Sequence, residues 1–163
     1  MKKVIFVRHA KSLWNDFRLT DFDRPLDKRG LHDAPKMAKL LKSEGIRPDI
    51  IYSSDANRAR STAIFFATEF DMDIIEKHNL YHGSPEDYMD VIRDESQQTQ
   101  VVALFGHNPG MTYLANMISP GCTDNIPTCS IIITEFKLDS WAKCDWSALK
   151  LLKILTPKNS FYD

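Results

Sequence analysis

Arg8-His9-Ala10-Lys11 follows directly on the apolar run Val4-Ile5-Phe6-Val7. A guanidinium and an imidazole are thus placed where a buried strand gives way to a loop, and open α/β sheets bind ligands outside the carboxyl ends of their strands. The arrangement recurs where Val101-Val102-Ala103-Leu104-Phe105 runs into Gly106-His107-Asn108-Pro109-Gly110. Two strand ends that each carry a histidine, with an arginine beside the first, point to a site for an anion, phosphate being the leading candidate. Singly, each has a plainer reading: an arginine paired at a strand end, a histidine satisfied in the core, or a turn before a helix. A third cation, Arg58, lies in Ser53-Ser54-Asp55-Ala56-Asn57-Arg58-Ala59. It falls in the first turn of a helix, where the macrodipole disfavours positive charge by about 0.3–1 kcal/mol. If the strands before Arg8 and Arg58 are neighbours, the two guanidiniums repel unless a multivalent anion joins them. Arginine's planar fork matches phosphoryl oxygens two at a time.

The elements that must hold these groups alternate in type. Residues 3–8 read as a strand. After an Asp-rich loop, Asp27 can cap a helix beginning near Lys28, with Leu31, Ala34, Ala38 and Leu41 on its apolar face. Pro35 must kink that helix or mark its true first turn, and Gly45 ends it. Residues 50–53 form a second strand, and Ser54 or Asp55 caps a helix whose apolar face is Ala59, Ala63, Phe66, Ala67 and Phe70. A short strand is expected near Ile74-Ile75. A helix opening at Ser84-Pro85 runs to about Asp94. Residues 101–106 form a strand, 110–118 a short helix, and 130–138 and 148–156 two strands antiparallel to each other. Strands alternating with helices predict a three-layer α/β/α sandwich with a mostly parallel, mixed sheet.

Composition narrows the function. At 163 residues, 43% hydrophobic and 26% charged, the chain is expected to form one domain over 1–163. The charge balance, 21 − 22 = −1, provides no global field for nucleic acid or anionic lipid. The first apolar run ends at Arg8, too early for a signal-peptide core, and no stretch is long enough to span a bilayer, so a cytoplasmic protein away from membranes is expected. Cys122, Cys129 and Cys144 are odd in number and lack C-x-x-C spacing, which predicts reduced thiols and no metal cluster.

Four motifs in order resemble the histidine phosphatase (phosphoglycerate mutase-like) superfamily, and within it the small SixA-like phosphohistidine phosphatases. They are Arg8-His9-Ala10-Lys11-Ser12, Arg24-Pro25-Leu26, Ser53-Ser54 with Arg58-Ala59 and Thr62-Ala63, and Gly106-His107-Asn108-Pro109-Gly110. The resemblance implies a phosphoglycerate mutase-like fold and a phosphatase that needs no metal or cofactor. In it, His9 is the transiently phosphorylated nucleophile, Arg8 and Arg58 bind the phosphoryl group, and His107 donates a hydrogen bond to it. Ser12 and Asn15 match a stretch that contacts substrate in mutase-like relatives, though both could equally cap a loop. The chemistry agrees. A neutral imidazole is a good nucleophile if its other nitrogen donates to a carbonyl or carboxylate, and phosphoryl transfer needs chiefly positioning and stabilisation of charge.

The chain also departs from larger relatives, which place a glutamate after the third strand as general acid. The corresponding Leu80-Tyr81-His82-Gly83-Ser84-Pro85 has none, leaving His82, Asp23 and Glu86 as substitutes of equal standing. The long insertions that build a sugar-phosphate pocket are missing too. An open site without a dedicated acid is expected to favour phosphoramidates and aryl phosphates over alkyl phosphates, by about 10²–10⁴. The reading is a phosphatase for protein phosphohistidine. The alternatives are a broad phosphomonoesterase for small phosphorylated substrates, or a module that binds phosphate without turnover.

Overall fold

The computed structural model describes residues 1–162. The chain runs β1 (Lys2–Arg8), α1 (Lys28–Ser43), β2 (Ile50–Ser53), α2 (Asn57–Phe70), β3 (Ile75–Glu76), α3 (Pro85–Arg93), β4 (Val101–Gly106), α4 (Gly110–Ile118), β5 (Ile131–Phe136), β6 (Leu149–Leu155) and α5 (Pro157–Phe161). One six-stranded sheet has the order β3-β2-β4-β1-β5-β6. The first four strands are parallel, whereas β5 is antiparallel to both β1 and β6. The sheet is therefore mixed and mostly parallel, as the alternation of elements predicts.

Apolar residues of β1 point alternately to two faces, and both are covered. Ile5 and Val7 pack with Met37, Leu41, Phe66 and Phe70 of α1 and α2. Val4 and Phe6 pack on the other face with Tyr88, Ile92, Leu114 and Trp141. Each such large side chain contributes about 1.5–3 kcal/mol by leaving water. No helix among the described residues is long and apolar enough to cross a membrane.

Three local expectations need correction, and a fourth is narrowed. The strands β1 and β2 are not neighbours; β4 lies between them. Its Val102, Ala103, Leu104 and Phe105 are buried on both faces, and a strand apolar on both sides belongs at the centre of a covered parallel sheet. Neither Ser54 nor Asp55 caps α2. The N-cap is Ala56, whose side chain cannot accept a bond, and the Ser54 hydroxyl instead reaches a histidine described below. Leu31 is exposed, and Met37 takes its place on the buried face of α1. Of the two readings of Pro35, the first turn is ruled out: it lies inside α1, about two turns from Lys28, where its missing N–H removes the bond to the Leu31 carbonyl. The caps at Asp27 and Ser84 do form: the Gly30 N–H donates to Asp27 Oδ1 at 2.9 Å, and Ser84 with Asp87 makes a capping box.

Candidate active site

The registry of β1 against β4 sets Arg8 opposite Gly106, so His9 and His107 leave the sheet side by side. The His9 N–H donates to the Gly106 carbonyl at 3.0 Å, and the two imidazole centroids are 5.2 Å apart. His9 Nδ1 lies 2.7 Å from the Ala10 carbonyl oxygen, which can only accept. The Nδ1 atom therefore carries the proton, and Nε2 keeps its lone pair. The loop is pinned behind it: the Ala10 N–H donates to Thr62 Oγ1 at 2.9 Å, and the Thr62 hydroxyl donates to the Arg58 carbonyl at 2.8 Å.

His107 is held as firmly. Its N–H donates to the Tyr88 hydroxyl at 3.1 Å, an approach open only because residue 106 is glycine; a Cβ there would overlap the Tyr88 oxygen. His107 Nε2 is 2.8 Å from Ser54 Oγ, which also accepts the Ala56 N–H at 3.2 Å. In the tautomer in which the Ser54 hydroxyl donates to Nε2, the ring proton sits on Nδ1, a buried atom with no protein partner.

Three guanidiniums converge on the same space. Arg8 donates to the Ile126 carbonyl at 2.7 Å. Arg58 donates to the Asp21 carbonyl at 2.7 Å and to Asp21 Oδ2 at 3.1 Å. Arg24 donates to Ser12 Oγ at 2.5 Å, lies 3.5 Å over the Trp14 ring, and has Nη1 3.4 Å from Asp21 Oδ1, close enough for an ion pair but not aligned as a hydrogen bond. The Nε atoms of all three are buried and have no partner. Unpaired buried donors are costly, each about 1–3 kcal/mol, which makes these three Nε groups, with Arg24 Nη1 and His107 Nδ1 around the same cavity, the signature of an absent acceptor. The cavity has a volume of about 260 Å³ and is walled by Arg8, His9, Ser12, Asp21, Arg24, Arg58, His82 and His107, with Lys11 and Trp14 at its mouth. Three guanidiniums against one carboxylate leave an excess of two positive charges before Lys11 is counted. A wider, shallow cleft of about 680 Å³ along Lys28, Arg29, His32, Lys158 and Tyr162 has no such convergence.

Electrostatics keep both inner imidazoles neutral. Burial, reinforced by Arg58, Arg8 and Arg24, pushes His9 down to about 3 against the pull of its Ala10 hydrogen bond. Burial, then His9 and Arg58, push His107 down to about 2. Burial opposes ionisation of Asp21, but the Tyr81 hydroxyl and the guanidiniums of Arg58 and Arg24 outweigh it and hold the carboxyl at about 2.

These shifts have a consequence for stability. The ordinary histidine value is 6.5, so below it the unfolded chain takes up protons that the native site refuses. Stability is thus fully present above about pH 6.5 and is lost as the pH falls toward about 3, by about 1.4 kcal/mol per pH unit for each histidine. Thermal unfolding should show a lower Tm at pH 5 than at pH 7.5, and His9→Ala should flatten that slope. An equal slope in the two proteins would mean that His9 is not the group resisting protonation.

Of the residues singled out in the sequence, Arg8, His9, Arg58 and His107 come together, and Ser12 joins them through Arg24. Asn15 does not: it is exposed and forms no part of the cavity wall. Among the three acid substitutes, Asp23 is exposed and accepts the Thr20 hydroxyl, and Glu86 is exposed and pairs with Arg93 at 2.6 Å. Only His82 reaches the cavity. Sequence reasoning missed Asp21, which was hidden among four loop aspartates. It also missed the role of Arg24, although the Arg-Pro-Leu motif had marked that residue. The three cysteine thiols are free, Cys129 and Cys144 being buried. Among the described residues, no three His, Cys, Asp or Glu side chains are grouped so as to hold a metal ion.

Comparison with known proteins agrees with this geometry. Residues 4–110 match the histidine phosphatase superfamily (branch 1). An uncharacterised chloroplastic protein of Arabidopsis thaliana is 32% identical over 154 residues, 86% of this chain and 69% of its own. The 2,3-bisphosphoglycerate-dependent phosphoglycerate mutase of Gloeothece citriformis is 31% identical over 113 residues, 59% of this chain but 48% of the mutase. The chain thus spans about half the length of that relative. Among solved structures, SixA of Agrobacterium tumefaciens superposes with a TM-score of 0.82 at 28% identity, covering 96% of this chain and 98% of that one.

Proposed function

Because the chain belongs to the histidine phosphatase superfamily, we propose that its cavity hydrolyses phosphorylated substrates through a phosphoryl-enzyme intermediate on His9. The observation that carries this reading is the convergence of unpartnered buried nitrogens from Arg8, Arg24, Arg58 and His107 around an imidazole whose free nitrogen is Nε2. A phosphoryl dianion supplies acceptors for the Nε–H groups of Arg8, Arg24 and Arg58 and for His107 Nδ1–H. It also matches the excess of two positive charges. The His9 Nε2 lone pair attacks phosphorus, the bond to the leaving group breaks, and the guanidiniums stabilise charge on the equatorial oxygens. Water then attacks the phosphoryl group, and the P–N bond electrons return to Nε2. The fixed cations take the part that a divalent metal plays elsewhere, so turnover proceeds without one.

Within that reaction class the substrate is a phosphohistidine borne on a protein. Two things support this: the cavity mouth is formed by Lys11 and Trp14 of the loop between β1 and α1, and the chain matches over nearly its whole length a protein designated phosphohistidine phosphatase SixA. An open mouth gives few contacts to a free sugar phosphate but admits a phosphorylated side chain. A broad phosphomonoesterase is the second reading, favoured by a protonatable imidazole, His82, at the rim.

The test compares kcat/KM for a phosphohistidine-bearing protein, an aryl phosphate and a sugar phosphate on one preparation containing EDTA. The phosphohistidine protein should be the best substrate, by about tenfold or more over the sugar phosphate, equivalent to about 1.4 kcal/mol in the barrier. A sugar phosphate turned over best would favour the second reading. Activity lost to EDTA and restored by Zn²⁺ or Mn²⁺ would replace both with a metal hydrolase.

A further inference from the structure

We propose that His82, oriented by Asp21, is the proton donor to the leaving group. The proposal rests on the phosphatase reading above and adds to it a residue with no assigned role. The backbone at His82 has φ +53°, a left-handed conformation that few residues other than glycine adopt, histidine being among those that tolerate it. Such outliers persist only where the surroundings enforce them, and they concentrate at functional sites. Here the conformation aims an imidazole at the cavity. The ring lies against that of Tyr81, tilted by 35° with centroids 4.1 Å apart, and its Nε2 is 3.3 Å from Asp21 Oδ2. The same Asp21 oxygen accepts the Tyr81 hydroxyl at 2.6 Å and Arg58 Nη2 at 3.1 Å. The carboxylate is therefore fixed by Tyr81 and Arg58, and it lies beside His82 Nε2–H close enough for an ion pair but not aligned as a hydrogen bond, which leaves Nδ1–H for the substrate.

Depth supplies the second argument. His9 lies on the floor of the cavity at 6% exposure, whereas the His82 side chain is 59% exposed at its rim. The three imidazoles form a file, with His107 between them, 5.2 Å from the His9 ring and 5.9 Å from that of His82. In an in-line displacement the leaving group departs on the side of phosphorus opposite the nucleophile, hence toward the rim and His82. Asp23 and Glu86 face elsewhere, so no other candidate from the sequence competes.

The step balances as follows. As His9 Nε2 bonds to phosphorus, the electrons of the breaking bond go to the departing atom, and the proton on His82 Nδ1 passes to the leaving group. For an alkyl phosphate it reaches the bridging oxygen; for phosphohistidine, the far ring nitrogen, so that a neutral imidazole departs. His82 is left neutral. In the second half, the water that attacks the phosphoryl group gives its proton to His82 Nδ1, restoring the donor.

The experiment uses His82→Asn, because asparagine tolerates the left-handed backbone and cannot relay a proton. It measures kcat/KM for phosphate esters whose leaving groups range from acidic phenols to simple alcohols, in the wild type and the variant. A general acid is worth about 10²–10⁴ in rate. The variant should lose that much on alkyl phosphates and only a few-fold on a nitrophenyl ester, so the dependence on leaving-group acidity steepens. The increase in Tm given by inorganic phosphate should be unchanged. A uniform loss across the series, no loss at all, or a lost phosphate-induced shift would each overturn the proposal. A wild type that neither hydrolyses the nitrophenyl ester nor forms labelled His9 would overturn the phosphatase reading as well, whereas an active, labelled wild type with an indifferent variant overturns this inference alone.

Discussion

Replacing His9 with alanine should reduce phosphate release by at least about 10⁴-fold and leave the fold standing. The side chain is the one group whose removal eliminates the covalent intermediate, and residual catalysis by the arginines cannot substitute for a nucleophile. Its structural contribution is small by comparison. The imidazole makes one hydrogen bond, to Ala10, and borders a cavity that water can refill, so its loss costs about 1 kcal/mol. In the wild type, brief exposure to a radiolabelled phosphorylated substrate followed by denaturation should trap label that is acid-labile, base-stable and confined to His9. Label on a cysteine or aspartate, or full activity in the alanine variant, would show that another group takes the phosphoryl.

Arg58→Ala should lower kcat/KM by about 10²–10³, the effect of losing a well-placed donor to developing charge. The wild type should be stabilised against heat by phosphate or vanadate, and the variant much less. The sequence alone suggests that removing one of two clustered cations relieves repulsion. The structure changes that expectation, since Arg58 also holds Asp21 through two hydrogen bonds. Without it Asp21 keeps only the Tyr81 hydroxyl and the looser pairs with Arg24 and His82, so no gain in unliganded stability is expected. Arg58→Lys separates charge from geometry: it keeps the cation but cannot offer the planar fork, and should recover only part of the loss. Equal stabilisation of wild type and Arg58→Ala by phosphate would place the anion away from this side chain.

Much of the site was legible because its chemistry is tied to strand ends. A histidine directly after a run of apolar residues is located by the run itself, and both Val4-Ile5-Phe6-Val7 and Val101-Val102-Ala103-Leu104-Phe105 announce their strands. The sheet order was not legible, since adjacency in sequence gives no sign that β4 would be inserted between β1 and β2. Asp21 and Tyr81 belong to two loops 60 residues apart, and only the fold reveals that their side chains meet. Ser54 was misread for a related reason. A serine ahead of a helix suggests a cap, and its true partner, His107, is 53 residues away. Asn15 illustrates the reverse error, because proximity to Ser12 in sequence did not carry it into the cavity.

The placement of β4 beside β1 has a consequence for how such a protein can change. The distance between His9 and His107 is set by the spacing of two hydrogen-bonded parallel strands, about 4.8 Å, and not by any loop. The most exacting dimension of the site is thus a property of backbone geometry that many apolar sequences in those strands would reproduce, provided Gly106 is kept. The rim, by contrast, is built from loops, and the side chains of Lys11 and Trp14 there can be exchanged without touching that ruler or the proposed proton donor. Variation at the mouth can therefore explore new substrates while the reacting pair stays fixed, which makes this scaffold a favourable starting point for directed changes of specificity.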